Sequence, residues 1–292
     1  MIGALYTAFN RLARKLPRGL LESLVEAPLK ASFLLPPARK RVYANFLRIL
    51  KGRGPEPAKD ELARMLADAR RRLVRLSIAM LARDEDLRYA RDKVDMEFLA
   101  TLEAALKGGR GVVLTTSNFG LANHAILAMF QAGLPVRIPV FHKSHYDHMP
   151  NGWAGHFLTL GSASRECLGT LRRNGIVLIP TMFGFLGHAR DCEFFGAPAR
   201  LTYAPVRLAA ATGAPVLPIF AVDEGERCRV RAGELIRHPD GARLEDTMSR
   251  LVRCQEDFIA RYPTQWEVFE DPWDLRGADQ RDALLRAVLR FF

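Results

Sequence analysis

Gly109-Arg110-Gly111-Val112-Val113-Leu114-Thr115-Thr116-Ser117-Asn118-Phe119-Gly120 is the stretch from which the rest of the chain can be read. Its glycines stop the preceding helical pattern, because glycine tolerates the left-handed backbone that closes a helix. Val112 to Thr116 are apolar or β-branched and suit a buried strand. Ser117, Asn118 and Gly120 are turn formers. From Leu121 the apolar residues recur at helical spacing to about residue 132. Strand, tight turn and helix in that order make one half of a βαβ unit.

The alternation repeats outward. Apolar runs at 136–141, 176–181 and 216–222 alternate with helices expected at 121–132, 164–174 and 202–212. The expected fold class is α/β, with a mostly parallel central sheet flanked by helices. Residues 228–232 add an edge strand, and 243–262 an amphipathic helix that covers one face of the sheet. On the N-terminal side, Leu62, Met65, Leu66, Ala69, Leu73, Leu76 and Met80 predict a helix from 60 to about 83, and a second is expected over 93–107. Residues 1–57 read as an amphipathic helical segment and linker, cut into short pieces by Pro17, Pro28, Pro36 and Pro37. Residues 58–276 form the α/β domain, and 277–292 a basic amphipathic helix carrying Leu284, Leu285, Val288 and Leu289.

With 292 residues, 49% of them hydrophobic and 26% charged, the chain has a globular composition and is not disordered. Forty-three basic against 32 acidic residues give a formal charge of +11, which favours an anionic partner: a phospholipid surface, an acidic carrier protein or nucleic acid. No nucleic-acid motif accompanies the arginines, so nucleic acid is not expected. Cys167, Cys192, Cys228 and Cys254 are scattered without a Cys-x-x-Cys pair, which argues against a zinc knuckle or a disulfide framework. Arg11, Arg14, Lys15, Arg18, Glu22, Glu26 and Lys30 break the apolar N-terminus, leaving no run of about 18 apolar residues and no signal-peptide core. The expected location is cytoplasmic, or peripheral on the inner face of the cytoplasmic membrane.

Two further stretches join the first. One is Phe194-Phe195-Gly196-Ala197-Pro198-Ala199 with Thr202, followed by Ala211-Thr212-Gly213-Ala214-Pro215-Val216-Leu217-Pro218; the other is Tyr262-Pro263-Thr264-Gln265-Trp266. In order and spacing the three blocks resemble the late acyltransferases of bacterial lipid A biosynthesis, within the lysophospholipid and glycerolipid acyltransferase fold, over roughly residues 35 to 270. In that family the turn reads His-Phe-Gly-Asn-Trp-Glu. Its histidine takes the proton of the acceptor hydroxyl as it attacks an acyl thioester, and the acid orients the imidazole. The matching positions here are Asn118 and Asn123. A positioned base contributes about 10²–10⁴ in rate, and a carboxamide is essentially non-basic. What the two asparagines can supply is hydrogen bonding, orientation of a carbonyl, or part of an oxyanion hole beside a helix N-terminus; helix capping and turn formation are the structural alternative. The resemblance also places His142 where the family usually carries an arginine, and Thr181 and Met182 where it carries an Asp-Gln or Asp-His pair.

Three features can replace the base. His124 follows Asn123 and points about 100° away from it on the helix, facing either the pocket or the core. His142, His145 and His148 with Asp147 sit in a loop after a strand, where ligand crevices of α/β sheets open; a catalytic or substrate-binding histidine fits that loop, as does a solvated one, and a metal site is not expected. His188 and Asp191 flank Arg190, whose guanidinium can clamp a phosphate or carboxylate. Met182, Phe183, Phe185 and Leu186 offer an apolar wall for an acyl chain. The candidate catalytic set is therefore Asn118, Asn123, His124 and His142. The candidate substrate-binding set is His145, Thr181, His188, Arg190, Phe194, Phe195, Gly196 and Thr202. The resemblance implies an acyltransferase that uses an acyl carrier protein or coenzyme A thioester as co-substrate, with no other cofactor, and a lipid or natural-product acceptor. The alternative is a catalytically silent acyl- or lipid-binding partner of an intact enzyme. The transfer reading requires the turn at Ser117 and the loops near 142 and 190 to converge on one cavity.

Overall fold

The computed structural model describes residues 10, 12–34, 36–140, 143–159, 162–181, 189–266, 269 and 271–275. Among the described residues, a short helical stretch that includes residues 10, 12 and 13 precedes four longer helices, α1 (Arg18–Leu34), α2 (Pro36–Leu50), α3 (Lys59–Ala79) and α4 (Asp84–Lys93), then a two-residue strand β1 (Val94–Asp95) and α5 (Leu99–Leu106). The alternating part follows as β2 (Val112–Thr116), α6 (Ala122–Gln131), β3 (Val136–Val140), two 3-10 stretches (Lys143–Tyr146 and Pro150–His156), β4 (Phe157–Thr159), α7 (Ala163–Arg172) and β5 (Ile176–Pro180). A hairpin of β6 (Ala189–Phe194) and β7 (Ala197–Thr202) leads to α8 (Ala204–Thr212), β8 (Val216–Asp223), β9 (Cys228–Ala232), α9 (Leu244–Arg261) and a 3-10 turn, Pro263–Gln265.

Seven strands make the main sheet in the order β1-β9-β8-β2-β5-β3-β4. Neighbours are parallel throughout, except that β8 and β9 are antiparallel. The fold is α/β with a mostly parallel sheet flanked by helices. Every residue of β2 is buried, as the central strand of a doubly covered sheet must be. Val113, Val177, Val216 and Phe220 pack under α7, α8 and α9, while Val112, Leu114, Ile176, Leu178 and Leu217 pack under α4, α5 and α6. α2 and α3 add Val42, Phe46, Ile49, Leu62 and Leu66 to the first of these cores.

Three expectations need correction. The helix placed over 93–107 is shorter and starts later, because Val94 pairs with Cys228 and Asp95 with Arg229 in the β1–β9 ladder, and Asp95 binds Arg227 at 2.6 Å. Pro28 does not cut the N-terminal segment, since α1 runs through it with the proline exposed. Burial of Leu21 and Phe33 offsets the roughly 3 kcal/mol that an internal proline costs a helix. Ala189, Arg190 and Asp191, read as part of a polar loop before Phe194, instead open a strand of the second, two-stranded sheet. Among the described residues no helix is long and apolar enough to cross a membrane. The expected helix at 277–292 lies outside the described residues, as do His142, His188, Met182, Phe183, Phe185 and Leu186.

All four cysteines are free thiols. Burial pushes Cys167, Cys192 and Cys228 up to about 12, so near pH 8 almost none of the reactive thiolate is present. Cys167 and Cys228, 2% and 0% exposed, are expected to resist alkylation in the native protein and to react only after denaturation. Mass spectrometry of iodoacetamide adducts with and without urea checks this, and rapid native labelling of either residue would contradict it.

Candidate functional site

β2 and β5 are adjacent and parallel, but the chain leaves β2 into α6 on one face and leaves β5 towards α8 on the other. Diverging connections of this kind open a crevice at the carboxyl ends of the two strands. The turn Ser117–Gly120 stands there. Asn118 and Gly120 both adopt positive φ, 50° and 58°, a conformation that asparagine and glycine accept at least cost. At Gly120 a side chain is excluded outright, since a Cβ would lie 1.9 Å from the Ala221 carbonyl oxygen.

The Tyr-Pro-Thr-Gln-Trp segment holds this turn against β8. Gly120 N–H donates to the Gln265 carbonyl at 2.6 Å and Leu121 N–H to the Ala221 carbonyl at 2.9 Å. The Gln265 side chain closes on the backbone of Asp223, accepting from its N–H at 2.8 Å and donating to its carbonyl at 2.9 Å. Phe119 is buried edge-on to Phe220 and Tyr262. On the other side, Thr181 N–H donates to the Thr116 carbonyl at 2.8 Å, and the Gln255 amide of α9 donates to the Thr181 hydroxyl.

α3 crosses the mouth of this arrangement. Arg72, Leu73 and Leu76 line a small cavity together with Asn118, Gly120 and Thr264. Arg72 and Arg75 both bind the buried carboxylate of Asp223, Arg75 at 3.0 Å. Thr264 donates its hydroxyl to Asp68 at 2.7 Å. Burial pushes the Asp68 carboxyl up, but the hydrogen bond from Thr264 and the charge of Arg72 outweigh it, and the group titrates below its ordinary value. Asn123 donates its amide to the Leu76 carbonyl at 2.8 Å, near the end of the same helix.

His124 faces elsewhere. It is 2% exposed, its Nε2 lies 3.4 Å from Asp86 on α4, itself 0% exposed, and its ring meets Tyr89 edge-on. Arg18 of α1 binds the same Asp86 oxygen at 3.1 Å. The backbone carbonyl of His145 accepts from Asn10 at 3.3 Å. Arg190 pairs with Glu245 at 3.3 Å and lies over the Tyr203 ring. Glu245 and Gln255 are ten residues apart on α9, so the guanidinium is anchored roughly 15 Å along the helix from the Thr181 contact. Phe194 is buried against Trp266 and stacked on Trp273. Phe195 and Gly196, with φ of 50° and 67°, are the two central residues of the β6–β7 turn, the positive-φ pair of a type I′ hairpin. Thr202 is buried and accepts from Ala204 N–H at the start of α8. The fold thus gathers Asn118, Thr181 and Phe194 around Gln255 and Trp266, and leaves His124, Arg190 and His145 on other contacts; the described residues of the loops near 142 and 190 do not line the small cavity at Asn118, whose walls come from α3 and the C-terminal turn instead.

Three further residues at this crevice escaped the sequence reading. Ser117 Oγ, Gln255 Oε1 and Trp266 Nε1 are buried without a hydrogen-bond partner among the described residues. Unsatisfied groups of this kind cost about 1–3 kcal/mol each, so each is a place for water or the polar part of a ligand. Ser117 was legible only as a turn former, and Gln255 only as one polar residue on an amphipathic helix.

A family model described as bacterial lipid A biosynthesis acyltransferase matches residues 1–274 of the chain. Phosphatidylinositol mannoside acyltransferases from two strains of Mycobacterium tuberculosis are 26% identical over 117 residues, covering 40% of this chain and 37% of theirs. The chain thus spans well under half the length of the curated relatives it matches.

Two substitutions test how the turn is held. Gly120→Ala is expected to destabilise by about 3 kcal/mol or more, from the left-handed backbone and the overlap with Ala221. Asn123→Asp replaces a donor by a carboxylate that can only accept, facing the Leu76 carbonyl, and is expected to cost about 1–3 kcal/mol and to speed amide exchange at the end of α3. Urea unfolding and hydrogen exchange measure both; an unchanged Asn123→Asp protein would remove this bond from the account.

Proposed function

Because the chain belongs to the bacterial lipid A biosynthesis acyltransferase family, we propose that it moves an acyl group from a carrier-protein or coenzyme A thioester to a lipid or natural-product acceptor, at the carboxyl ends of β2 and β5. In this reaction the acceptor oxygen or nitrogen forms a bond to the thioester carbonyl carbon, the carbon–sulfur bond breaks, and the acceptor's proton leaves with the thiolate. No further cofactor is required. The acceptor is met at an anionic membrane surface, which agrees with the formal charge of +11.

The observation that carries this reading is the set of orphaned polar atoms on Ser117, Gln255 and Trp266 at the switch point of the sheet. A tetrahedral intermediate develops charge on the former carbonyl oxygen and is stabilised by donors fixed in a dry site; Ser117 Oγ and Trp266 Nε1 can donate, whereas Gln255 Oε1 only accepts and suits a hydroxyl or amine proton of the acceptor. Asn118 is the side chain proposed to orient that oxygen, because its left-handed backbone is held in place by the Gly120–Gln265 bond. Asn118 and Asn123 are not bases. An amine acceptor would need less help with its proton than a hydroxyl, so amide formation is a variant of the same proposal. His142, which follows β3 in the sequence, and Thr181, at the end of β5, are the remaining candidates for substrate contact.

A silent acyl- or lipid-binding role has its own support. The Asn123 amide is engaged with α3, and His124 is turned to Asp86, so neither is directed at the crevice. The two readings separate when purified protein is mixed with acyl-carrier thioesters and candidate acceptors and the products are weighed by mass spectrometry. Turnover that falls about 10²–10³-fold in Asn118→Ala, as for loss of an oxyanion donor, supports transfer. Protein that retains a bound acyl chain without turnover, unchanged by Asn118→Ala, supports the silent reading and overturns transfer.

A further inference from the structure

We infer that the segment 10–34 senses an anionic lipid surface and is mechanically joined to the loop that follows β3. This rests on the membrane contact in the reading above and adds which face makes it and what that face controls.

Leu12, Leu20 and Leu24 are the exposed large hydrophobic side chains among the described residues, at 60%, 49% and 55%, and all lie on this one segment. Leu20 and Leu24 are four apart on α1 and share a face. The opposite face holds Ala13 and Leu21 against Ile78 and Leu81, a small cluster separate from the two main cores. Docking the inner face therefore leaves the leucines outward. The acids of the segment are already paired, Glu22 with Arg18 and Glu26 with Lys30 and Arg70. Lys15 beside Leu12, and Arg39, Lys40 and Arg41 at the start of α2, are exposed and have no carboxylate partner among the described residues. Leucines flanked by unneutralised cations are the composition that settles into an anionic lipid interface.

The inner face is fastened by polar bonds to the loop that follows β3. Arg14 donates to the His148 carbonyl at 2.5 Å and to the Ala82 carbonyl at 3.3 Å. His148 Nε2 lies 2.9 Å from the Met80 carbonyl; only an N–H satisfies that contact, which leaves Nδ1 as an acceptor, and Asn10 Nδ2 stands 3.4 Å from it. Burial keeps this imidazole below its ordinary pKa, in accord with a neutral ring. Asn10 also holds the His145 carbonyl. Residues 145–148 are thus bonded to the segment at both ends, and restraining the segment restrains the loop.

The test uses the full chain and three conditions: no vesicles, phosphatidylcholine vesicles, and vesicles of phosphatidylglycerol with phosphatidylethanolamine. Flotation reads binding, and hydrogen exchange of peptides covering 143–149 reads the coupling. The expected result is binding to the phosphatidylglycerol vesicles alone, with severalfold slower exchange in 143–149. The double variant Leu20→Glu, Leu24→Glu, altered only on the solvent face, should bind at least roughly tenfold more weakly. Asn10→Ala should still bind but lose the exchange response. No vesicle binding, equal binding to phosphatidylcholine, or loop exchange indifferent to binding overturns the inference. Neither readout is turnover, so a protein that binds and responds without catalysing supports the coupling while counting against acyl transfer.

Discussion

The side-chain amide of Gln265 is the constraint on which the candidate site depends. By bonding both backbone groups of Asp223, while the backbone carbonyl of Gln265 receives Gly120 N–H, it joins three distant pieces of chain at one point: the end of β8, the turn after β2 and the C-terminal 3-10 turn. Each group alone is an ordinary hydrogen bond worth about 1 kcal/mol net. Together they fix a turn whose left-handed residues would otherwise have other conformations open to them. The Asn118 backbone, and with it whatever the turn presents to a substrate, is oriented from outside its own βα unit.

The same place shows how the helical N-terminal part is attached. α3 brings two arginines to a carboxylate that is almost wholly buried. Burying an ion without partners costs several kcal/mol, so Asp223 depends on the docking of α3 for its two guanidinium partners, and this charge adds to the apolar packing of Leu62, Leu66 and Ala69 in placing the helix. Asp68 to Thr264 and Asn123 to Leu76 extend that seam. Asp68 titrates below the ordinary carboxylate range, so its share of the attachment is complete above about pH 4 and is lost as the pH falls through its lowered value.

The sheet was readable because its strands are buried on both faces and so appear as unbroken apolar runs; 112–116, 176–180 and 216–223 fall within a residue or so of where the runs lie. The β6–β7 hairpin was not, because its first strand, Ala-Arg-Asp-Cys-Glu-Phe, is half exposed and its only local mark is the Phe-Gly turn. Where ladder partners are far away, as for Val94 with Cys228, helix periodicity misleads. At the site, residue types were visible and directions were not. Adjacent positions 123 and 124 look equally available in sequence, yet one meets α3 and the other a buried aspartate on α4. Gln265 was conspicuous as part of a motif, but its partners are about 40 and 145 positions away.

That separation bears on how the protein is made. Synthesis proceeds at about 5–20 residues per second, so the turn at Gly120 leaves the ribosome roughly seven to thirty seconds before the glutamine that secures it. For the first part of that interval, until residues 176–180 and then 216–223 have been made, β2 lacks β5 and β8 beside it, and a strand apolar on both faces stands open to any sticky neighbour. A nascent chain with this topology has reason to call on a holding chaperone, and a ribosome that stalls before residue 265 would release a polypeptide whose central strand is in place but whose business end is not.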